Sequence, residues 1–424
     1  MDNWKITDTN LARTEKSVRR SFNSPARMLV LATLGRLQRG SLLLVEEGTE
    51  RHFGETRHLA DVQATLVVKH PDAWQFVLSN GSLGAGEAYM LGLWDSPDLL
   101  QVIRLFVLNL DLLNAMDNNG SWLKRLTARL FHLLHRNSLE GSRRNISAHY
   151  DLSNEFFQLF LDPTLAYSAA IFSSETQDLE AASRNKFQHV CTRLQLQPTD
   201  HLLEIGTGWG GLAIHAARHF GCRVTTTTLS KEQARHARAW IRQEGLEERI
   251  TVLEQDYREL TGQYDKLVSI EMIEAVGAAY YGEYFSRCSA LLQPDGLMLI
   301  QAITISDQRY EYSLRNTDFI KRYIFPGGQL PSNMVIAQHI TRDTDMQLIG
   351  LEDITRDYAR TLNLWRHNFQ DALPAVRQLG FDEAFIRMWR FYLCFCEGGF
   401  MERVIHTGQF LMAKPGFRSL PVIK

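Results

Sequence analysis

Leu202-Leu203-Glu204-Ile205-Gly206-Thr207-Gly208-Trp209-Gly210-Gly211 is the most informative run in the chain. Apolar residues end in an acid, alternating glycines follow, and Leu212-Ala213-Ile214-His215-Ala216-Ala217 opens a helix. Such a run builds a buried strand, a tight turn and a helix N-terminus. Without a Cβ, the turn residues let backbone N–H groups come close to a ligand. Gly206, Gly208 and Gly211 also spell G-x-G-x-x-G, the spacing of a dinucleotide-binding turn. A turn with a purely structural role carries the same glycines, so the flanking segments must discriminate.

Strand and helix patterns alternate on the C-terminal side of this run. Strands are expected near 201–205, 223–228, 250–254, 264–270 and 296–302, and helices near 211–220, 230–243 and 280–292. The rhythm predicts one α/β domain with a doubly wound sheet, its ligand at the carboxyl ends of the strands. A nicotinamide site would place an acid about 20 residues beyond the glycine turn. Here Arg223-Val224-Thr225-Thr226-Thr227-Thr228 runs into Leu229-Ser230-Lys231-Glu232-Gln233, so hydroxyls and an amide replace that acid. After the third strand, Gln255-Asp256-Tyr257 offers an acid and an aromatic to an adenine. Both features disfavour a nicotinamide cofactor.

At 424 residues, the chain has room for two to three domains, and 45% hydrophobic content supplies a large core. A net charge of −2 argues against a general nucleic-acid binder. Five cysteines in so long a chain make no disulfide framework, which points to a reducing compartment. Neither a signal-type apolar segment nor a run of the length a membrane span needs is visible. The expected location is therefore the cytoplasm, with any membrane attachment peripheral. Residues 11–40 carry Arg13, Lys16, Arg19, Arg20, Arg27, Arg36 and Arg39 around the apolar Met28-Leu29-Val30-Leu31-Ala32. In 121–136, Trp122, Leu123, Leu126, Leu130, Leu133 and Leu134 share one side of a basic helix. Both patterns suit an anionic membrane surface, and both also suit a solvated face on an ordinary helix. The glycines of 81–86 have no lysine after them and no clear strand before them, so a phosphate loop is not expected. The expected organisation is an N-terminal domain over 1–137, a linker over 138–148 and a catalytic domain over 149–424.

Glu204, two residues before the first glycine, resembles the acid of the E/D-x-G-x-G-x-G turn of S-adenosylmethionine-dependent methyltransferases. The resemblance narrows with Thr228-Leu229-Ser230-x-x-Gln233, His149-Tyr150-Asp151-Leu152-Ser153-Asn154 and Tyr167-Ser168. Phe325-Pro326-Gly327-Gly328-x-Leu330-Pro331-Ser332 and Tyr392-Leu393-x-x-Cys396-x-x-x-Phe400 add to it. In this order, the motifs resemble the cyclopropane-fatty-acid synthase and mycolic acid methyltransferase family. The stretch 81–95 resembles the small N-terminal domain of its bacterial members.

The resemblance implies a doubly wound, Rossmann-like α/β methyltransferase domain preceded by a smaller mixed α/β domain. It implies S-adenosylmethionine as cofactor, held by Tyr167, Ser168, Glu204, Gly206, Gly208, Gly210, Thr228, Ser230, Gln233, Asp256 and Tyr257, and no metal. The implied substrate is the cis double bond of an unsaturated phospholipid acyl chain, and the implied partners are an anionic membrane surface and a second copy in a homodimer. An alkene is a feeble nucleophile, so such a site must align methyl and double bond and exclude water. Attack leaves a carbocation, and losing a proton from the new methyl closes a cyclopropane. In the family, the base for that step is attributed to a bound bicarbonate. The implied catalytic residues are Glu274, which orients the anion, Tyr358, which donates to it, Gln301, and Cys396 in the substrate pocket. Ile303 fits the position whose backbone contacts the ion. Gln301 departs from a histidine in the family pattern and Ala169 from a cysteine. Glutamine can donate to an anion, but it cannot carry the proton charge of a histidine.

The product is therefore open between a cyclopropane and a methyl-branched or methyl-olefinic chain. Small-molecule N-methylation and a non-catalytic membrane-binding role are the alternatives from other classes.

Overall fold

The structure, a computed structural model, describes residues 24–56, 62–112 and 152–418. The chain forms two compact units that are not contiguous in sequence. One comprises residues 1–134, 316–324 and 369–404, and the other residues 135–315, 325–368 and 405–424. The segment 121–136, the linker 138–148 and the motif residues His149, Tyr150 and Asp151 lie outside the described residues.

The first unit carries a four-stranded sheet in the order β2-β1-β3-β4, formed by β1 (Gly40–Glu46), β2 (Thr49–Glu55), β3 (Gln63–Val68) and β4 (Trp94–Asp95). β1 runs antiparallel to β2 and parallel to β3. Leu42 and Leu44 alternate inward along β1 and are fully buried, the period expected of a strand with one covered face. Helix Asp72–Met90 kinks at Gly81, where φ is +56°. Gly86 lies so close to Phe319 that a Cβ would sit 2.6 Å from its ring. These glycines therefore serve backbone bending and close packing, in keeping with the expectation that 81–86 is not a phosphate loop. Helix Glu383–Met401 joins this unit: Arg387 donates to the carbonyl oxygen of Trp94 at 2.8 Å and pairs with Asp95, and Arg104 pairs with Glu402 at 2.6 Å. Arg27, counted above with a membrane-facing basic segment, is instead buried and ion-paired with Glu46 at 2.6 Å.

The second unit is built on a seven-stranded sheet in the order β10-β11-β9-β8-β5-β6-β7. Its strands are β5 (His201–Ile205), β6 (Arg223–Thr227), β7 (Ile250–Leu253), β8 (Tyr264–Ile270), β9 (Leu292–Ile305), β10 (Gln347–Asp353) and β11 (Ile405–Ala413). β5 to β9 are parallel, and β10 and β11 add an antiparallel edge. Successive side chains divide between the faces. Leu202, Val268 and Leu299 pack with Ala213 and Val190, whereas Leu203, Leu267 and Ile300 pack with Tyr284 and Ile336. Helices thus cover both sides, which makes the sheet doubly wound. Strand order reverses between β5 and β8, and in open α/β sheets ligands bind at this switch point, beyond the carboxyl ends of the strands.

Candidate active site

At the exit of β5, Gly206, Gly208 and Gly210 adopt φ of +102°, +52° and +99°, a region that side chains with a Cβ rarely enter. Gly206 and Thr207 each donate a backbone N–H to Thr227 O at 3.0 Å, tying the turn to the end of β6. Gly211 is different: it begins helix Gly211–Phe220, and a Cβ there would meet Thr164 O and the Phe187 ring at 3.1 Å. The turn therefore requires glycine at 206, 208 and 210, and Gly211 serves packing. A Cβ at Gly208 would meet nothing within 4 Å, so the need for glycine there is conformational and not one of space.

Glu204 is buried beneath the turn and accepts the Thr226 hydroxyl at 2.6 Å. Burial pushes its carboxyl up to about 8, partly opposed by Thr226 and by the charge of Lys186. Lys186, itself buried, donates to Ser168 Oγ at 2.6 Å, and burial pulls its ammonium down to about 8. At the end of β6, Thr228 Oγ donates to Gln233 Oε1 at 2.9 Å. Ser230 Oγ accepts Gln233 N at 3.2 Å and caps the helix that follows. The structure thus brings Thr228, Ser230 and Gln233 into one buried network. Beyond β7, Arg258 holds the Asp256 carboxylate at 2.8 and 2.7 Å, and Tyr257 packs edge-on against Tyr284.

Tyr167 belongs to an aromatic cluster with Phe157, Phe160 and Trp365, at centroid distances of 5.3, 6.3 and 5.3 Å. Phe157 also packs at 5.0 Å on Trp209, the aromatic residue of the glycine turn, whose indole N–H donates to Asn154. Tyr358 reaches the same cluster edge-on through Trp365.

A convergence of polar groups lies across the switch point, where β8 ends. Glu271 stands there at φ +49°, a left-handed conformation that costs a non-glycine residue roughly 1–3 kcal/mol. Its Oε1 accepts Ala169 N at 2.9 Å and Gln301 Nε2 at 2.8 Å, and its Oε2 accepts the Tyr358 hydroxyl at 2.9 Å. Burial raises its carboxyl above the ordinary value, opposed by these donors and by Lys186. Gln301 on β9 is fixed from its other side, because Gln409 Nε2 on β11 donates to its Oε1 at 3.0 Å. Glu274, one turn further on, accepts the backbone N–H of Ile303 on one oxygen, while its buried Oε2 has no partner. Burial and the charge of Glu271 push Glu274 up to about 8. The Phe325–Ser332 motif supports this loop: Gln329 N donates to the Glu274 carbonyl at 2.8 Å, and Ser332 caps helix Asn333–Asp343.

Of the expected catalytic residues, Gln301 and Tyr358 therefore meet on Glu271, with Glu274 beside them. Cys396 belongs to the first unit, on helix Glu383–Met401, and burial pushes its thiol far up, away from the reactive thiolate. Glu271 escaped the sequence reading. Its only signal there is position: an acid directly after the apolar strand 264–270. The bicarbonate implied by the resemblance does not fit these residues as built. Tyr358 and Gln301 already serve Glu271, and Ile303 N already serves Glu274. Among the described residues, no group of three or more His, Cys, Asp or Glu is arranged to hold a metal, and no helix is long and apolar enough to cross a membrane.

A glycine turn over a buried acid at the β5 exit suits a nucleoside-bearing cofactor, and the family match makes the protein a methyltransferase that uses S-adenosylmethionine. Residues 137–410 match the family model described as mycolic acid cyclopropane synthetase, and the chain belongs to that family. It is 37% identical over 372 residues to the tuberculostearic acid methyltransferase UfaA1 of Mycobacterium tuberculosis, covering 86% of each chain. With the cyclopropane-fatty-acyl-phospholipid synthase of Escherichia coli it shares 36% identity over 354 residues, covering 83% of this chain and 88% of that one. Among solved structures, the mycolic acid cyclopropane synthase CmaA1 complexed with SAH and CTAB matches with a TM-score of 0.61 at 31% identity, over 64% of this chain and 98% of the other.

Proposed function

We propose that the enzyme methylates the cis double bond of an unsaturated phospholipid acyl chain and closes the adduct to a cyclopropane. The observation that carries this reading is the pairing of an aromatic cluster at the glycine turn with a half-buried carboxylate across the switch point. That pairing suits a reaction in which positive charge develops on an apolar substrate. Gly206, Gly208 and Gly210 form the turn that would hold the cofactor, over Glu204, with Tyr167 and Ser168 bordering it. When bound, S-adenosylmethionine supplies an electrophilic methyl group. Tyr167, Trp209 and Trp365 exclude water and offer aromatic faces to a developing cation. The fixed negative charge of Glu271 stabilises the same cation through a low-dielectric site.

We assign this chemistry to residues 149–424, and assign residues 1–137 to attachment at the anionic inner face of a membrane, as a homodimer. Helix Pro25–Leu34 supports that attachment, because Met28 and Leu29 remain 60% and 56% exposed. The test is to incubate purified protein with S-adenosylmethionine and vesicles of a monounsaturated phospholipid, followed by mass spectrometry of the released fatty acids. Gain of one methylene, in a product that resists mild hydrogenation, is the expected result. Absence of any mass change in the presence of cofactor-bound protein would overturn the reading.

A second reading, methylation without ring closure, is favoured by one finding. The relative named for tuberculostearic acid is as similar to this chain as the one named for cyclopropane fatty acids. That route gives a methyl-olefinic product of the same mass that takes up hydrogen, or, with an added reductant, a branched chain two hydrogens heavier. The likeness to coclaurine N-methyltransferase, at 20% identity, is one of fold.

A further inference from the structure

We propose that the Glu271 carboxylate is a built-in replacement for an exchangeable anion in this site, and that it takes the proton released as the ring closes. The inference rests on the lipid-alkene reading above. The donors expected to surround a bound ion are all present, and each is aimed at a side-chain carboxylate. Tyr358 and Gln301 donate to Glu271, as does the backbone N–H of Ala169, and Ile303 N donates to Glu274. A carboxylate and a bicarbonate present the same planar pair of anionic oxygens, so both cannot use these donors at once.

Gln301 fits this arrangement. Its amide is held between Glu271 and Gln409, donating to the first and accepting from the second. An amide neither carries charge nor accepts the proton, so the proton-accepting role falls to the carboxylate it orients. An ionised carboxylate has about four acceptor positions. Glu271 uses two on Oε1 and one on Oε2 for the contacts above, which leaves Oε2 a lone pair. In the proposed step, that lone pair forms an O–H bond with a proton of the newly attached methyl. The C–H electron pair becomes the third ring bond to the cationic carbon, and the charge is cancelled. Glu271 is then a neutral acid, which returns its proton to water after the product leaves. Its left-handed backbone conformation marks the position as one held for a purpose, and it also provides the test, because glycine adopts that conformation without strain.

The experiment uses the full chain with S-adenosylhomocysteine and carbon-13-labelled bicarbonate, with binding followed by NMR, for the wild type, Glu271→Gly and Glu271→Gln. Lipid methylation is measured in parallel in bicarbonate-depleted and bicarbonate-supplemented buffer. The expected result is a wild type that neither binds bicarbonate nor responds to its removal. Glu271→Gln should lose product formation by about 100-fold or more, with S-adenosylhomocysteine affinity unchanged. Glu271→Gly, its fold checked by thermal melting, should gain bicarbonate binding and recover part of the activity when the ion is supplied. Bicarbonate binding by the wild type, or full activity in Glu271→Gln, would overturn the proposal. A wild type that methylates no lipid strikes the substrate reading instead, and the binding arm still decides the fate of Glu271.

Discussion

Tyr358 and Gln301 hold the Glu271 carboxylate through one hydrogen bond to each of its oxygens. Tyr358→Phe removes one hydrogen bond to a charged acceptor, an interaction worth roughly 1.5–3 kcal/mol. Turnover should fall about ten- to a hundredfold, with S-adenosylhomocysteine affinity unchanged in calorimetry; an unaltered turnover would refute the role. Glu204 gives a prediction of opposite kind. Its carboxyl is raised from 4.5 to about 8 by burial, so the folded state holds that proton more tightly than the unfolded chain. Its contribution to stability is present below pH 4.5 and is lost as pH rises through about 8. Glu204→Gln should therefore melt progressively higher than the wild type across that window when thermal unfolding is followed without cofactor. Lys186, lowered from 10.5 to about 8, acts in a separate window, adding stability as pH rises from 8 to 10.5. Glu274 and Tyr358 were singled out in the sequence because each sits inside a longer motif, and Gln301 because it departs from one. Glu271 was not, because nothing in a linear string says which of two acids three residues apart will meet the tyrosine.

At the level of elements, the glycine turn is where local sequence and tertiary role coincide. Gly206→Ala places a Cβ on a residue at φ +102°, although its nearest neighbour, Met272 Cγ, would be 3.6 Å away. The penalty is therefore conformational, about 1–2 kcal/mol. A lower melting temperature and weaker S-adenosylhomocysteine binding should appear together. A variant that melted lower and still bound normally would separate the turn from the cofactor. The sheet was readable for a related reason. Leu202 and Leu203 go to opposite faces because strands alternate, and short strands separated by helical patterns admit few topologies. Thr228, Ser230 and Gln233 were singled out as cofactor contacts, and their hydrogen bonds go to one another and to the cap of helix Lys231–Gln243. Motif matching finds such residues without distinguishing a group that faces a ligand from one that shapes the loop beside it.

For the whole molecule, the division into units cuts across sequence order. Residues 316–324 and 369–404 fold with the N-terminal sheet because helix Glu383–Met401 buries one side against helices Asp72–Met90 and Leu99–Leu108. Gly398 allows that approach, since a Cβ there would lie 2.9 Å from Ile103. Vesicle co-sedimentation tests attachment of the protein to a membrane surface. The full chain should bind anionic vesicles more than neutral ones and should release as salt rises, each basic residue near the surface contributing about 1 kcal/mol. Replacing the exposed Met28 and Leu29 with serine should weaken that binding without moving the melting temperature. Binding indifferent to both lipid charge and salt would refute surface attachment.

The residues of 202–211 and the strands around them determined a doubly wound sheet, because period, turn chemistry and spacing are properties of neighbouring residues; its reading as a methyltransferase came through resemblance. The grouping of the active-site acids was settled by tertiary structure. Glu271, Gln301, Tyr358 and Gln409 come from the exit of β8, from β9, the helix Thr355–Asp371 and β11, and only the folded sheet brings them within hydrogen-bonding distance. Desolvation there then makes each carboxylate seek a donor, and the donors present chose Glu271.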